Sequence, residues 1–213
     1  MRAITFDISL PRLAAAKILG AVSPRAFVSS LALVRCQHVP DPNSWGDDWV
    51  LVEPRLAGVC GSDVMQVFIK AGLDNPLSAV VSGPHVMGHE VAGTVIEIGR
   101  REASDQRPTR RGFANAFLRP RGLPPCESCQ NGDYPLCHRF SEDRLAKGMQ
   151  LGTCSDVGGG FAEAMSVHES MLFPIPDGVG YEAARLVPAP KACRSSRRGR
   201  GALSLMRRFE WAS

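Results

Sequence analysis

The sequence has no segment that could hold a dinucleotide pyrophosphate. Such a segment needs a strand, a G-x-G-x-x-G turn and a helix N-terminus in that order. Glycine clusters occur instead at residues 158–160, which lead into a strand-like Phe161-Ala-Glu, and at residues 178–180, which follow Pro176. Both clusters are typical of turns. The sequence therefore predicts that a dinucleotide-binding domain is absent from these 213 residues.

Long apolar runs are also missing. No stretch reaches the roughly 18 consecutive apolar residues of a membrane span. The N-terminus carries Asp7 within its first apolar stretch and has no small-residue cleavage site, so it does not resemble a signal peptide. With 44% hydrophobic and 22% charged residues, the composition is that of a globular domain. We expect a cytoplasmic protein without a membrane partner.

Aromatic residues are few, at 7% of the chain, and this bears on the net charge of +4. Eight of the 25 basic residues lie between Arg185 and Arg208. Arginine-rich stretches attract phosphates, but no aromatic platform for stacking bases accompanies this one. We therefore interpret residues 185–213 as a solvated basic tail and predict no specific nucleic-acid partner.

The seven cysteines are an odd number, and two of them form a CxxC. Without an export signal, thiolate metal ligands are favoured over disulfides. Cys126, Cys129 and Cys137 predict a metal-binding lobe, with free surface thiols as the alternative. His138, Asp133 or water could complete a tetrahedron. The cysteines expected to be inert thiols are Cys36, Cys154 and Cys193.

A second set of metal-ligating residues precedes this lobe. Cys60, His89 and Glu90 combine a thiolate, an imidazole and a carboxylate. These donors suit Zn²⁺, and three protein ligands with an open position are typical of a catalytic zinc. Each residue alone would be ordinary, a buried cysteine or a loop histidine. Taken together they predict a catalytic metal site.

Short stretches rich in β-branched residues and separated by glycine and proline predict strands. They cover residues 1–8, 31–36, 49–57, 91–98, 161–167 and 171–175. Residues 10–19 predict a short helix, with Pro11 in its first turn. Many short strands favour an antiparallel barrel or sandwich, so we predict a mainly β fold with short helices.

Four motifs occur in an order that resembles the medium-chain, zinc-dependent alcohol dehydrogenase family, over residues 1–184. They are AGVCGSD at residues 57–63, GHE at 88–90, CESC at 126–129 with Cys137, and GGFAE at 159–163. The resemblance implies a GroES-like barrel as the catalytic domain and a zinc lobe. It also implies zinc, an NAD or NADP cofactor in the full-length protein, an alcohol or polyol substrate and homo-oligomeric assembly.

The resemblance also implies roles for single residues. Ser62 resembles the hydroxyl that relays the alcohol proton, and Asp63 the carboxylate that orients a zinc ligand. Glu90 resembles a carboxylate that either binds zinc or lies just behind it. The lobe of the family has four cysteines spaced C-x2-C-x2-C-x7-C, and the first position falls on Leu123 here. The third family ligand of the catalytic zinc falls beyond residue 185.

Two regions depart from the family pattern, residues 100–120 and 185–213. Both are rich in arginine, proline, alanine, glycine and serine, which GC-rich codons encode in excess when read out of frame. Our hypothesis is a frame slip near residue 100 that reverses near 121, and a second near 185. The alternative is a natural insertion and a natural basic tail. We expect both regions to be poorly ordered and a barrel strand to be lost.

Two functions remain open. By family the chain is the catalytic domain of a zinc alcohol or polyol dehydrogenase, inactive alone because no cofactor domain accompanies it. The alternative is a nonenzymatic, zinc-binding GroES-like module whose basic tail contacts a partner. Binding of a nicotinamide cofactor would separate the two.

Overall fold

The structure is a computed structural model. It describes residues 1–43, 45–47, 49–70, 81–98, 124, 126–131, 133, 136–139, 145–146, 148, 151–168 and 171–184, and the backbone of residues 110–114. Three regions that the sequence singles out, residues 99–109, 115–123 and 185–213, lie outside this part of the chain. The predictions of poor order there, and of a basic tail, remain predictions.

Short strands dominate the described residues. The strands are β1 Arg2–Phe6, β2 Val34–His38, β3 Trp49–Gly58, β4 His85–Val86, β5 Glu90–Ile98, β6 Arg110–Ala114, β7 Met165–His168 and β8 Leu172–Pro174. The helices are α1 Leu10–Val22, a 3₁₀ helix Pro24–Val28, α2 Gly61–Val67, α3 Glu127–Gln130 and α4 Tyr181–Ala184. None of these helices is long and apolar enough to span a membrane.

The strands form two sheets, of order β2-β1-β4 and β7-β3-β5-β6-β8. Within each sheet, these neighbouring strands pair antiparallel. This confirms the prediction of a mainly β, antiparallel fold with short helices. Each of the six predicted strand regions overlaps a strand, and residues 31–36 cover only the start of β2.

One strand expectation is wrong. The departure of residues 100–120 from the family pattern led us to expect that a barrel strand is lost there. Instead, β6 pairs with β5 through Val91 opposite Ala114, and with β8 through Phe113 opposite Phe173. Alternating backbone pairing does not depend on side-chain identity, so the arginine-rich composition did not prevent a strand from forming.

The β3–β5 pair determines where the first metal site lies. Gly58 pairs with Glu90 and Ala57 with Val91, so the end of β3 meets the start of β5. Cys60 follows β3 by two residues, and His89 immediately precedes β5. Antiparallel pairing therefore brings residues about thirty positions apart in the sequence to the same corner of the sheet.

Pro54 lies in the middle of β3, although proline cannot donate a hydrogen bond to a neighbouring strand. The register shifts between Pro54 and Leu56, as in a β-bulge, which accommodates the missing donor. Gly93 lies opposite Pro54, and a Cβ there would collide with the carbonyl oxygen of Glu53. The irregularity is therefore built into both strands.

The main hydrophobic core is built around the five-stranded sheet. Its buried members come from β3, β5, β7, β8, the loop before β7 and the residue just before β8. They are Trp49, Val50, Val52, Val91, Val95, Leu151, Cys154, Val157, Met165, Val167, Met171 and Leu172. Burial of each large apolar side chain contributes about 1.5 to 3 kcal/mol, so this cluster fixes β3 against β5.

The glycine cluster at residues 158–160 runs beside residues 86–88. Gly159 N–H donates to Val86 O at 2.9 Å, Gly160 N–H to Gly88 O at 2.9 Å, and Phe161 N–H to Met87 O at 2.9 Å. A Cβ on Gly159 would collide with the carbonyl oxygens of Gly88 and Met87. The cluster thus acts as a close backbone support for the segment that leads to His89, rather than as a simple turn.

Candidate metal centres

Helix α2 begins immediately after Cys60 and is capped by Asp63. The backbone N–H of Cys60 donates to Asp63 Oδ2 at 2.8 Å, and Asp63 is only 2% exposed. A carboxylate three residues after the N-cap satisfies an otherwise unpaired N–H and interacts well with the positive end of the helix. The cap fixes the backbone of Cys60 at the corner where β5 begins.

Three potential ligand side chains converge at this corner. One ligand atom each from Cys60, His89 and Glu90 lies within 4.8 Å of the others. His89 is 6% exposed, whereas Cys60 and Glu90 are half-buried. The sequence predicted that these three residues form one site, and the structure brings them together. One soft thiolate, one imidazole and one carboxylate suit Zn²⁺.

The imidazole of His89 lies between two polar side chains. Its Nδ1 is 3.7 Å from Asp63 Oδ1, and its Nε2 is 3.3 Å from Ser62 Oγ. Asp63 Oδ1 is buried and has no hydrogen-bond partner. Metal-ligating histidines commonly have a carboxylate behind the ring nitrogen that does not bind the metal. The orphaned oxygen of Asp63 fits that role, so the geometry fits a metal-bound His89.

Burial raises the pKa of Asp63 above its usual value, and the N–H of Cys60 and the ring of His89 partly offset this effect. A carboxylate kept out of water is more basic and attracts a ring N–H more strongly. Asp63 is therefore suited to hold the His89 ring in one orientation.

The three cysteines of the lobe form a second cluster around the short helix α3. Cys126 is its N-cap, while Cys129 and Cys137 are each 7% exposed. The three sulfur atoms lie within 4.8 Å of one another, and Cys126 Sγ is 3.6 Å from Cys129 Sγ. Two sulfurs bound at about 2.3 Å to one tetrahedral ion would lie about 3.8 Å apart. The spacing therefore fits two thiolates on a shared ion.

Backbone N–H groups surround the lobe sulfurs. Arg139 N–H donates to Cys137 Sγ at 3.4 Å, and the Arg139 guanidinium donates to Pro124 O at 3.1 Å, which holds the two ends of the lobe together. The N–H groups of His138 and then Cys129 lower the pKa of Cys126 to about 6. Burial, followed by the neighbouring sulfurs, raises the pKa of Cys129 to about 12. Cys126 therefore ionises before Cys129.

The remaining histidines and cysteines with described side chains lie outside these two clusters. His85 is buried, with Nδ1 2.7 Å from Ser82 O and Nε2 3.1 Å from Gln66 Oε1, and burial lowers its pKa. The contact with Gln66 joins α2 to β4, and sequence reasoning missed it because neither residue belongs to a motif. Cys154 is buried and donates from Sγ to Ala146 O at 3.2 Å. The other members of this group are His38, His138, His168 and Cys36.

An antiparallel β domain with a thiolate–imidazole–carboxylate corner and a separate three-cysteine lobe defines a metal-binding domain of the zinc-type oxidoreductases. Residues 46–177, more than half of the chain, match the alcohol dehydrogenase GroES-like domain family, and the chain belongs to that family. This confirms the resemblance seen in the motifs.

Similar proteins include alcohol and polyol dehydrogenases. A zinc-type alcohol dehydrogenase-like protein of Escherichia coli is 30% identical over 165 residues, covering 74% of this chain and 41% of that protein. Sorbitol dehydrogenase of Bacillus subtilis is 30% identical over 149 residues, covering 70% of this chain and 36% of that protein. The crystal structure of 2R,3R-butanediol dehydrogenase from Bacillus subtilis is 28% identical, with a TM-score of 0.51 and coverage of 72% and 40%. The chain spans about two fifths of the length of the curated relatives it matches.

Proposed function

We propose that this chain is the metal-binding catalytic domain of a zinc-dependent dehydrogenase that oxidises a small alcohol or polyol. The observation that carries the proposal is the convergence of Cys60, His89 and Glu90, whose ligand atoms lie within 4.8 Å of one another. A zinc ion held there would supply Lewis acidity toward the hydroxyl oxygen of the substrate. The full-length protein is expected to use NAD or NADP as the hydride acceptor.

In this proposal Cys60, His89 and Glu90 bind the ion, and Asp63 is a positioning residue that acts through His89. Ser62 Oγ is half-buried and lies 3.3 Å from His89 Nε2. A hydroxyl can accept and donate a proton at the same time. Ser62 is therefore suited to carry the proton of the substrate hydroxyl away from the site.

The rest of the proposal concerns the whole protein. Residues 1–184 form the GroES-like catalytic domain, and residues 185–213 are a basic tail. Cys126, Cys129 and Cys137 hold a second, structural zinc. We expect a cytoplasmic homo-oligomer. The relatives that act on sorbitol and 2R,3R-butanediol favour a substrate with vicinal hydroxyl groups.

Cobalt substitution tests alcohol binding without a cofactor. A Co²⁺ ion bound by a thiolate gives visible absorption bands that change when a ligand enters its open position. We expect sorbitol or 2,3-butanediol to change these bands in the Co²⁺-loaded chain and not in Cys60→Ala. An alcohol-dependent change that persists in a folded Cys60→Ala variant would place alcohol binding elsewhere. Bands that no alcohol alters in the parent chain would favour a nonenzymatic zinc-binding module.

Replacement of Asp63 by asparagine should weaken zinc binding at the Cys60 site. The amide oxygen can still accept the Cys60 N–H, but the negative charge beside His89 is lost. Replacing the partner of a metal-ligating histidine typically lowers metal affinity about 10- to 100-fold. Competition with a chromophoric chelator measures this change. Asp156→Asn is the matched control, because Asp156 also accepts a backbone N–H, from Ala146, at 2.6 Å. Equal zinc affinity in both variants contradicts the positioning role.

The 213 residues alone should oxidise no alcohol with either nicotinamide cofactor. Hydride transfer needs the reacting atoms held about 3 to 3.5 Å apart, and the sequence contains no dinucleotide-binding segment to hold the nicotinamide. Steady-state assays with zinc-loaded protein, polyols and each cofactor measure this directly. Turnover that disappears in Cys60→Ala would mean that the chain binds its cofactor by a route absent from its motifs.

A further inference from the structure

The cysteine lobe brings three sulfur atoms together, one fewer than the four ligands of a closed structural zinc site. Cys126, Cys129 and Cys137 lie within 4.8 Å of one another, and among the described residues no fourth potential ligand side chain joins them. A closed structural zinc site has four protein ligands, usually with several thiolates. In the described part of the lobe, the ligand set is therefore these three sulfurs.

The other cysteines with described side chains are placed elsewhere. Cys60 belongs to the cluster with His89, Cys36 lies exposed on β2, and Cys154 donates its S–H to Ala146 O. The seventh, Cys193, lies outside the described residues and is included in the test below. The lobe segment itself, residues 121–146, contains three cysteines and no more. A metal ion in the lobe would therefore have three thiolate ligands, and any fourth ligand would be water or a group without sulfur.

The nearest histidine does not join the sulfurs. The ring of His138 lies close to Ser128, with Nε2 3.4 Å from Ser128 Oγ. Its backbone N–H instead interacts with Cys126, and the N–H of Arg139 donates to Cys137 Sγ at 3.4 Å. N–H donors of this kind stabilise thiolate sulfur without occupying a coordination position on a metal ion. Among the described residues, the lobe thus offers three sulfur ligands supported by backbone N–H groups.

We propose that the lobe is a three-thiolate site with an open fourth position, and that it accepts thiophilic ions that need three sulfur donors, above all trivalent arsenic, in competition with Zn²⁺. This rests on the proposed role of the lobe as a metal site. Zinc in the pocket must take its fourth ligand from a weaker oxygen or nitrogen donor, whereas soft thiolates satisfy a three-coordinate ion fully.

The reaction with arsenite is balanced without a change of oxidation state. In the metal-free lobe, three cysteine thiols displace three hydroxyl groups from As(OH)₃, so three As–S bonds form, three As–O bonds break and three waters leave. In the zinc-loaded lobe the sulfurs are thiolates, so Zn–S bonds break, Zn²⁺ leaves and three protons from solvent complete the waters. No electron acceptor is needed. Cys126 is half-buried, whereas Cys129 and Cys137 are buried. The Cys126 sulfur is therefore the first to attack arsenic, and the other two follow.

The test uses the full chain loaded with zinc and kept reduced with a thiol-free reductant. Arsenite is added stepwise, intact mass counts bound arsenic, a chromophoric chelator reports released zinc, and X-ray absorption counts the sulfurs around arsenic. We expect one arsenic per chain, three sulfurs and release of the lobe zinc. Arsenic bound by two sulfurs, or no arsenic bound, overturns the proposal.

Variants assign the site. Cys126→Ser should lower arsenite affinity at least 10-fold, and serine is a favourable N-cap for α3, so the fold is retained. Cys36→Ser and Cys193→Ser should leave arsenite binding unchanged, and loss of binding in either variant contradicts the assignment to the lobe. Leu123→Cys adds a fourth thiolate at the first position of the family pattern and should lower zinc displacement by arsenite at least 10-fold. Equal displacement in that variant contradicts the open fourth position.

Failure here is distinguishable from failure of the proposed function. The cobalt bands that depend on Cys60 report the catalytic site in the same protein and do not depend on Cys126. If arsenite leaves zinc in the lobe while alcohol still changes those bands, only the three-thiolate inference is wrong. If the bands never respond to alcohol, the dehydrogenase proposal fails whatever the lobe binds.

Discussion

Cys60→Ala should remove one zinc ion per chain. Cys60 supplies the thiolate of the first site, and its loss leaves His89 and Glu90, two ligands that hold zinc weakly in water. Elemental analysis of purified, zinc-loaded protein measures the stoichiometry. We expect the parent chain to hold up to two zinc ions, Cys60→Ala to lose the one at this site, and Cys129→Ala to lose the one in the lobe.

Matched variants keep this test specific. Cys36→Ala removes an exposed thiol that belongs to neither cluster, so its zinc content should equal that of the parent chain. Cys60→Ser retains a good N-cap for α2 and separates loss of metal from loss of the helix. A folded Cys60→Ala variant with unchanged zinc content would show that Cys60 is not a ligand.

Gly159→Ala should destabilise the domain more than a typical surface substitution. The added Cβ would collide with the carbonyl oxygens of Gly88 and Met87, which belong to backbone and cannot rotate away as a side chain can. Overpacking of this kind costs roughly 3 kcal/mol, the upper end of the usual range. For a domain of this size the expected fall in Tm is about 6 to 12 °C, measured by thermal unfolding. Displacement of Gly88 should also weaken zinc binding at His89.

Gly158→Ala is the neighbouring control. The Cβ added there would meet only the side chain of Val86, at 3.3 Å, which can shift by a few tenths of an ångström. We expect a much smaller fall in Tm and unchanged zinc affinity. Equal effects of the two substitutions would mean that the 158–160 segment tolerates side chains generally and does not support the His89 segment.

The strands were predictable where side chains carry the pattern. Residues 91–98 are rich in β-branched residues, and β5 covers them as Glu90–Ile98. Helix α2 was not predicted, because only its first three residues lie within the AGVCGSD motif and its capping depends on Asp63 meeting the Cys60 N–H. Strand β6 was missed because its sequence resembles disordered, arginine-rich chain and its support comes from β5 and β8.

For the metal site, the ligand residues were predictable from the sequence and most of the contacts that orient them were not. Ligand types and motif order predicted that Cys60, His89 and Glu90 belong together, and the β3–β5 register supplies the reason. The contacts that orient these residues were less accessible from sequence. The role of Asp63 came from resemblance alone, and the bond between His85 and Gln66 depends on two segments that no local pattern connects.

The meeting of β3 and β5 has a consequence for the unfolded chain. Because Cys60 and His89 lie in separate strand-end segments, a metal ion that binds both closes a loop of about thirty residues. In the chain-entropy account, a covalent cross-link closing such a loop disfavours the denatured ensemble by about 3 to 4 kcal/mol. A zinc ion at this corner would therefore act as a reversible cross-link between the end of β3 and the start of β5. A chelator that removes it would lower the free energy of unfolding of these two strands.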